Sequence, residues 1–182
     1  LTVAAYDVAS AGFTDAADAA MILRASALAA KAGMADLATT SDAVTTVLNA
    51  WKLSASEADR VADRMQQTVK DGKIRIQEYA DNIGKVATVA SMVGVPLEEI
   101  NAAISLTTAS GVKAEVAFTG MKTALLRLTG EAGGKKLKAL GIDISAATLE
   151  AEGLAATLEK LANLDIKALE QIFGQEAIQV MG

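Results

Sequence analysis

Val47-Leu48-Asn49-Ala50-Trp51-Lys52-Leu53-Ser54 and Val89-Ala90-Ser91-Met92-Val93-Gly94-Val95-Pro96 repeat one pattern at an offset of 42 residues. Each copy reads as a helix end, a tight corner carrying one aliphatic residue (Leu53 or Val95) and the start of a new helix. The register continues, with Glu57 falling on Glu99 and Ala58 on Ile100. A weaker third corner is Leu140-Gly141-Ile142-Asp143. A chain that repeats helix, corner and helix builds hairpins that cannot bury their apolar faces alone, so each needs a neighbour. The expected fold is all-α, a multi-helix domain of stacked antiparallel helical hairpins.

Punctuation on either side supports this reading. Gly12, Gly33, Gly72, Gly94, Gly111, Gly130 and Gly141 each follow a helix-like stretch, where a residue of positive φ would end a helix. Ser54-Ala55-Ser56-Glu57 has the form of a capping box, and Pro96 suits a first helical turn. Thr14, Ser145 and Asp165 are further N-cap candidates. Between these marks the apolar spacing is helical. Ala117, Met121, Ala124, Leu125 and Leu128 form one stripe, Val61, Met65 and Val69 a second, and Leu154, Leu158 and Leu161 a third. The predicted helices lie near 2–11, 15–32, 40–51, 55–71, 76–92, 97–109, 113–129, 146–163 and 166–180.

Composition agrees. Hydrophobic types make up 52% of the 182 residues, aromatics only 3%, and there is one proline. Alanine, the best helix former, is abundant, while the aromatic residues that sheets favour are scarce. With no cysteine, disulfides, thiolate metal sites and cysteine nucleophiles are excluded. With no histidine, the usual general base and the usual transition-metal ligand are missing too. A net charge of -5 disfavours a binder that works by neutralising phosphates. The most apolar runs, 86–95 and 16–32, are too short or too charged for a membrane span of roughly 20 residues. A chain opening on Leu1 is expected to be a piece or processed product of a longer one, and no signal peptide is read at its start.

Four features invite sharper readings. Residues 130–136 imitate a phosphate loop, but three residues, where the motif needs four, separate Gly130 from Gly134, and Lys136 stands in the hydroxyl position. A mobile helix–helix linker is the better account. Glu98 and Glu99 point about 100° apart on a helix, so they suit a first turn, favoured by its dipole, better than a catalytic pair. Lys122, Arg127, Lys135, Lys136 and Lys138 form a basic stretch, read as a solvated face with linker, or more sharply as a contact for an acidic partner surface. Of the aromatics, Phe13, Phe118, Phe173, Tyr6 and Tyr79 are expected as core anchors, and Trp51, beside a corner, as a candidate interface residue. Helix 16–30, apolar on every side, requires burial within the domain or against another copy.

Several stretches taken together resemble tailed-phage tape measure proteins. They are 5–19 (AYDVASAGFTDAADA), 25–33 (ASALAAKAG), 42–50 (DAVTTVLNA), 78–86 (EYADNIGKV), 94–99 (GVPLEE) and 169–177 (LEQIFGQEA), in this order and spacing. The resemblance covers almost the whole chain. It implies a structural virion protein without enzymatic activity, the core region of a tape measure protein, acting as a scaffold in tail assembly and tail length determination. Implied partners are the tail-tube protein, tail-tip or baseplate proteins and tail assembly chaperones, with self-association but no nucleic acid, and no membrane in this segment. Implied locations are the tail lumen of the virion and the host cytoplasm during assembly. No catalytic, cofactor-binding or metal-binding residue is assigned, and no cofactor. The domain expectation is one helical domain over 1–182, with a main body at 1–129 and a helical C-terminal part at 130–182 after the Gly-rich linker. The competing reading is a membrane-active or pore-forming helical protein delivered with the tail, which would want a more strongly basic polar face than this chain offers.

Overall fold

Alternating helix and corner is what the chain builds. The computed structural model describes residues 2–174, which contain eleven α-helices, one 3-10 turn and no strand. Seven helices make the stack: α1 (Thr2–Ser10), α2 (Ala16–Gly33), α3 (Leu37–Ala50), α4 (Ala58–Gly72), α5 (Ile76–Met92), α6 (Leu97–Ala109) and α7 (Ala114–Thr129). Helices α1, α3, α5 and α7 lie side by side in one layer, and α2, α4 and α6 in the other. Each hairpin therefore covers the apolar face of the one before it. Between the layers lies one core that includes Ile22, Val44, Leu48, Met65, Ile83, Ile100, Phe118 and Leu125, all buried.

The corners share one geometry. Leu53 N–H donates to the Leu48 carbonyl at 2.7 Å and Val95 N–H to that of Ala90 at 2.9 Å. The preceding residue is left-handed in both, Lys52 at φ 54 and Gly94 at φ 78. This is the Schellman closure, in which a left-handed residue lets the next N–H reach back and satisfy a helix carbonyl. The third corner has it too, with Gly141 at φ 77 and Ile142 N–H on Leu137. At the other edge of the stack, Ala35 and Ile74 close α2 and α4 in the same way. Val95 is buried as expected, whereas Leu53 is only half-buried.

The structure corrects several local expectations. Gly33 and Gly72 are not the left-handed residues; Met34 and Lys73 are, each at φ 54 or slightly less. The two glycines end their helices where another helix crosses closely: a Cβ on Gly33 would lie 2.6 Å from Cβ of Ile76, and one on Gly72 would lie 3.1 Å from Cα of Ser105. Gly130 has an ordinary φ of -78. Ser54 makes no cap; its hydroxyl pairs with Ser56 at 2.6 Å, and Glu57 turns to Arg60 within a 3-10 turn, Ala55–Glu57. Asp15, not Thr14, caps α2 by accepting from the N–H groups of Ala17 and Asp18. Ser145 and Asp165 do cap their helices.

Beyond α7 the chain departs furthest from expectation. Residues 131–139 are not a linker but helix α8 (Glu131–Ala139), held by an Lys135–Glu131 pair one turn apart and anchored by buried Leu137. Gly133 permits it, because a Cβ there would meet the backbone carbonyl of Arg127. The expected helix 146–163 is broken into α9 (Ala146–Glu152) and α10 (Leu154–Glu159) by Gly153 at φ 84. Helix α11 spans Ile166–Phe173; residues 175–180 of the expected last helix lie outside the described residues. Leu128, Leu137, Ile144, Leu161, Ile172 and Phe173 form a second, smaller core. Leu149 and Leu154 instead join the main core, so α9 and α10 lie against the α6 end of the stack.

Candidate interaction surfaces

One edge of the stack is stitched together by side chains at the helix ends. Asn49 donates through Nδ2 to the Ala11 carbonyl at 3.0 Å, Ser91 donates through Oγ to that of Ala50 at 2.5 Å, and Trp51 donates through Nε1 to that of Val95 at 3.0 Å. Three successive corners are thus linked in a row. Half-buried Trp51, a candidate interface residue on sequence grounds, has its polar group committed inside the fold. Beside it an open groove is lined by Thr46, Asn49, Lys52, Thr88, Ser91 and Met92, with Met92 exposed.

The α2–α4–α6 layer carries a ladder of charges. Arg24 of α2 pairs with Asp59 of α4; Arg60 of α4 reaches Glu98 of α6 at 2.6 Å, with Arg64 3.9 Å from the same carboxylate. The Arg60 guanidinium is held above its ordinary pKa first by its hydrogen bond to Glu57 and then by the charge of Glu98. These pairs are largely exposed, so each adds little stability on its own, about 0–1 kcal/mol.

Glu98 and Glu99 do sit in the first turn of α6, as their spacing implied. Both carboxylates also have second roles. Glu98 receives the arginines of α4, and Glu99 accepts from the N–H of Leu154 at 2.5 Å, capping α10 from 55 residues away. No local pattern could reveal a cap supplied by a different part of the chain.

The basic stretch is largely occupied. Lys135 pairs with Glu131, Lys136 donates through Nζ to the Gln171 carbonyl at 2.6 Å, and Lys138 lies 3.5 Å from Asp143. Among the described residues, Lys122 and Arg127 are the members of that group that are exposed and make neither an ion pair nor a side-chain hydrogen bond. Among the aromatics, Phe118, Phe173 and Tyr79 are core anchors, Phe13 and Trp51 are half-buried, and Tyr6 is 73% exposed, against expectation. Tyr79 stacks edge-on against Phe118 at 5.5 Å and donates its phenol to Asn101 Oδ1 at 2.8 Å. Burial pushes that phenol well above its ordinary pKa.

Among the described residues no group of three or more acidic side chains converges as a metal site would, and no helix is long and apolar enough to cross a membrane. The family of phage-related minor tail proteins matches residues 1–181. The tape measure protein of Pneumococcus phage Dp-1 is 35% identical over 101 residues, which are 56% of this chain and 9% of that protein. The probable tape measure protein of Clostridium phage phiCD119 is 32% identical over 100 residues, 53% of this chain and 11% of that protein. The matched stretch thus spans about a tenth of the length of these curated relatives. No solved structure matches the chain.

Proposed function

The chain belongs to the phage-related minor tail protein family, and from that premise we propose that it is a structural scaffold of phage tail assembly, the folded core region of a tape measure protein. The observation that carries this reading is the family match along the whole stack. The fold adds a physical distinction. A continuous helix measures length because each residue adds about 1.5 Å, but this chain folds back at every corner. The reading therefore gives the stack a docking and organising role in length determination, and leaves the extended measure to other parts of a longer protein. Tail-tube, tail-tip or baseplate proteins and assembly chaperones are the partners it calls for, inside the tail lumen and in the host cytoplasm during assembly. The same reading treats residues 1–182 as one folding unit.

The test is an in-register deletion of residues 52–93 in a phage or prophage that encodes the chain. It removes one 42-residue repeat and joins Trp51 to Gly94, restoring the corner. Electron microscopy should show failed assembly, or tails of unchanged length. Intact tails shortened by about 60 Å, the length of 40 helical residues, would make this region part of the ruler and overturn the reading.

A further inference from the structure

Helices α2 and α4 end at the same edge of the stack, and a groove opens between their last turns. Ala32, Gly33, Val69, Ile74 and Ile76 line it, with Gln66, Lys70 and Lys73 around them, and it encloses about 340 Å³. Its form follows from local structure. Ile76, the first residue of α5, crosses so close to Gly33 that no side chain fits on that glycine. Left-handed Lys73 turns the chain away from α4, and Ile74 N–H closes back onto the Val69 carbonyl. Val69 and Ile74 are left only half-buried. Apolar surface is thus held in a concavity open to solvent.

The charges around this surface have one sign. Lys70 and Lys73 are exposed, as is Lys31, one residue before Ala32. Among the described residues none of the three makes an ion pair or a side-chain hydrogen bond. Nearby acids are engaged or distant. Asp36 caps α3 by accepting from Thr39 N–H at 3.0 Å, and Asp71 accepts from Gln67 Nε2 at 2.7 Å. Asp63 stands two turns back along α4, about 10 Å from Lys70. The middle of the same layer is the contrast, because Arg24, Arg60 and Arg64 all have carboxylate partners there. The helix dipole favours cations at this end of α2 and α4 but leaves them without a counter-charge. In a chain of net charge -5, three unpaired lysines beside one apolar groove mark a place where negative charge from elsewhere fits.

We infer that the groove docks a short acidic segment of a partner protein. One aliphatic side chain sits on Val69, Ile74 and Ile76, and carboxylates on either side of it reach Lys70 and Lys73. A volume of about 340 Å³ is at the low end of ligand pockets; it admits a side chain or two and not the whole face of a helix. A bare phosphate chain would leave the apolar floor unused, and an uncharged peptide would leave the lysines unpaired. The two features together select a segment that is both acidic and aliphatic. The site is built by α2, α4 and α5 and does not depend on the proposed role in tail assembly.

Fluorescence anisotropy tests the site with a labelled heptapeptide, one leucine between two pairs of glutamates and a glycine at each end. Expected is saturable binding to the chain with a dissociation constant below about 1 mM, the modest affinity of a small contact. Alanine in place of the peptide's leucine, or glutamine in place of its glutamates, should weaken binding about tenfold or more. The Lys70→Glu, Lys73→Glu double variant should abolish it. Ala32→Trp, which fills the groove and leaves every charge in place, should do the same with unchanged helical circular dichroism. A Lys122→Glu, Arg127→Glu double variant on α7 makes the same change of charge elsewhere and should bind like the unmodified chain. No saturation up to about 1 mM peptide overturns the inference. Equal loss in the α7 variant, or equal binding of the alanine peptide, overturns it as well, since either reduces the contact to unspecific attraction between charges. Displacement of the peptide by an equal concentration of oligothymidylate would assign the lysines to nucleic acid and overturn it too.

Discussion

The indole N–H of Trp51 donates to the carbonyl oxygen of Val95 at 3.0 Å, so the side chain at one corner is held by the backbone of the next corner in the same edge. The bond joins two hairpins that the sequence presents as copies of each other. It also explains why a tryptophan stands there: the ring covers the edge of the core while its single donor finds a partner.

Trp51→Phe retains most of the ring and removes the donor. The expected loss is about 1 kcal/mol of stability in urea denaturation, the usual net worth of one such bond. No measurable change would mean that the link contributes nothing to holding the hairpins together.

Two glycine sites should respond to alanine against the usual trend. Alanine in a helix interior normally gains about 1 kcal/mol over glycine. At Gly33 the new Cβ would meet Ile76, and at Gly72 it would meet Thr108 and the Ser105 backbone. Gly33→Ala and Gly72→Ala should therefore destabilise by about 1–3 kcal/mol. Gly134→Ala, in helix α8 with open space around it, should stabilise. Thermal melts that rank the three variants otherwise would contradict the close helix crossings.

Tyr79 makes stability depend on alkaline pH. Its folded pKa is raised above the ordinary value of about 10, because burial disfavours the phenolate. The unfolded chain releases this proton at lower pH than the folded one, so above about pH 10 the unfolded state holds fewer protons and is favoured. The contribution is complete below that pH and is lost as pH climbs toward the folded pKa. Tyr79→Phe should flatten this part of the alkaline decline, measured by denaturant midpoints across the range. An unchanged slope would show that Tyr79 is not its source.

Glu99→Gln replaces the charged acceptor that caps α10 with a neutral one. Hydrogen exchange at Leu154 and its neighbours should accelerate, with little change at the centre of α5. Equal protection in both proteins would show that α10 is held by Leu154 and Leu149 packing alone.

Much of the fold is written locally. The corners at Leu53 and Val95 were legible because a Schellman closure needs only a left-handed residue followed by an apolar one, and both lie within a few positions of each other. The caps at Ser145 and Asp165 were legible for the same reason. The glycine-rich run 130–136 was misleading because propensity disfavours a helix there; burial of Leu137 and the tight approach of Gly133 to Arg127 override it. The box at Ser54 failed because Glu57 found Arg60 instead.

By itself, then, the sequence determined that the chain is helical, where most helices end, and that its hairpins need neighbours, since all of these follow from the period of apolar residues and from backbone groups within a turn or two. Only the tertiary structure decided which helices share a layer, why Gly33 and Gly72 must lack side chains, and that Glu99 caps a helix 55 residues on. Those facts concern distances between residues far apart in the chain, and no local pattern of propensity or spacing encodes the distance at which two distant helices come to rest.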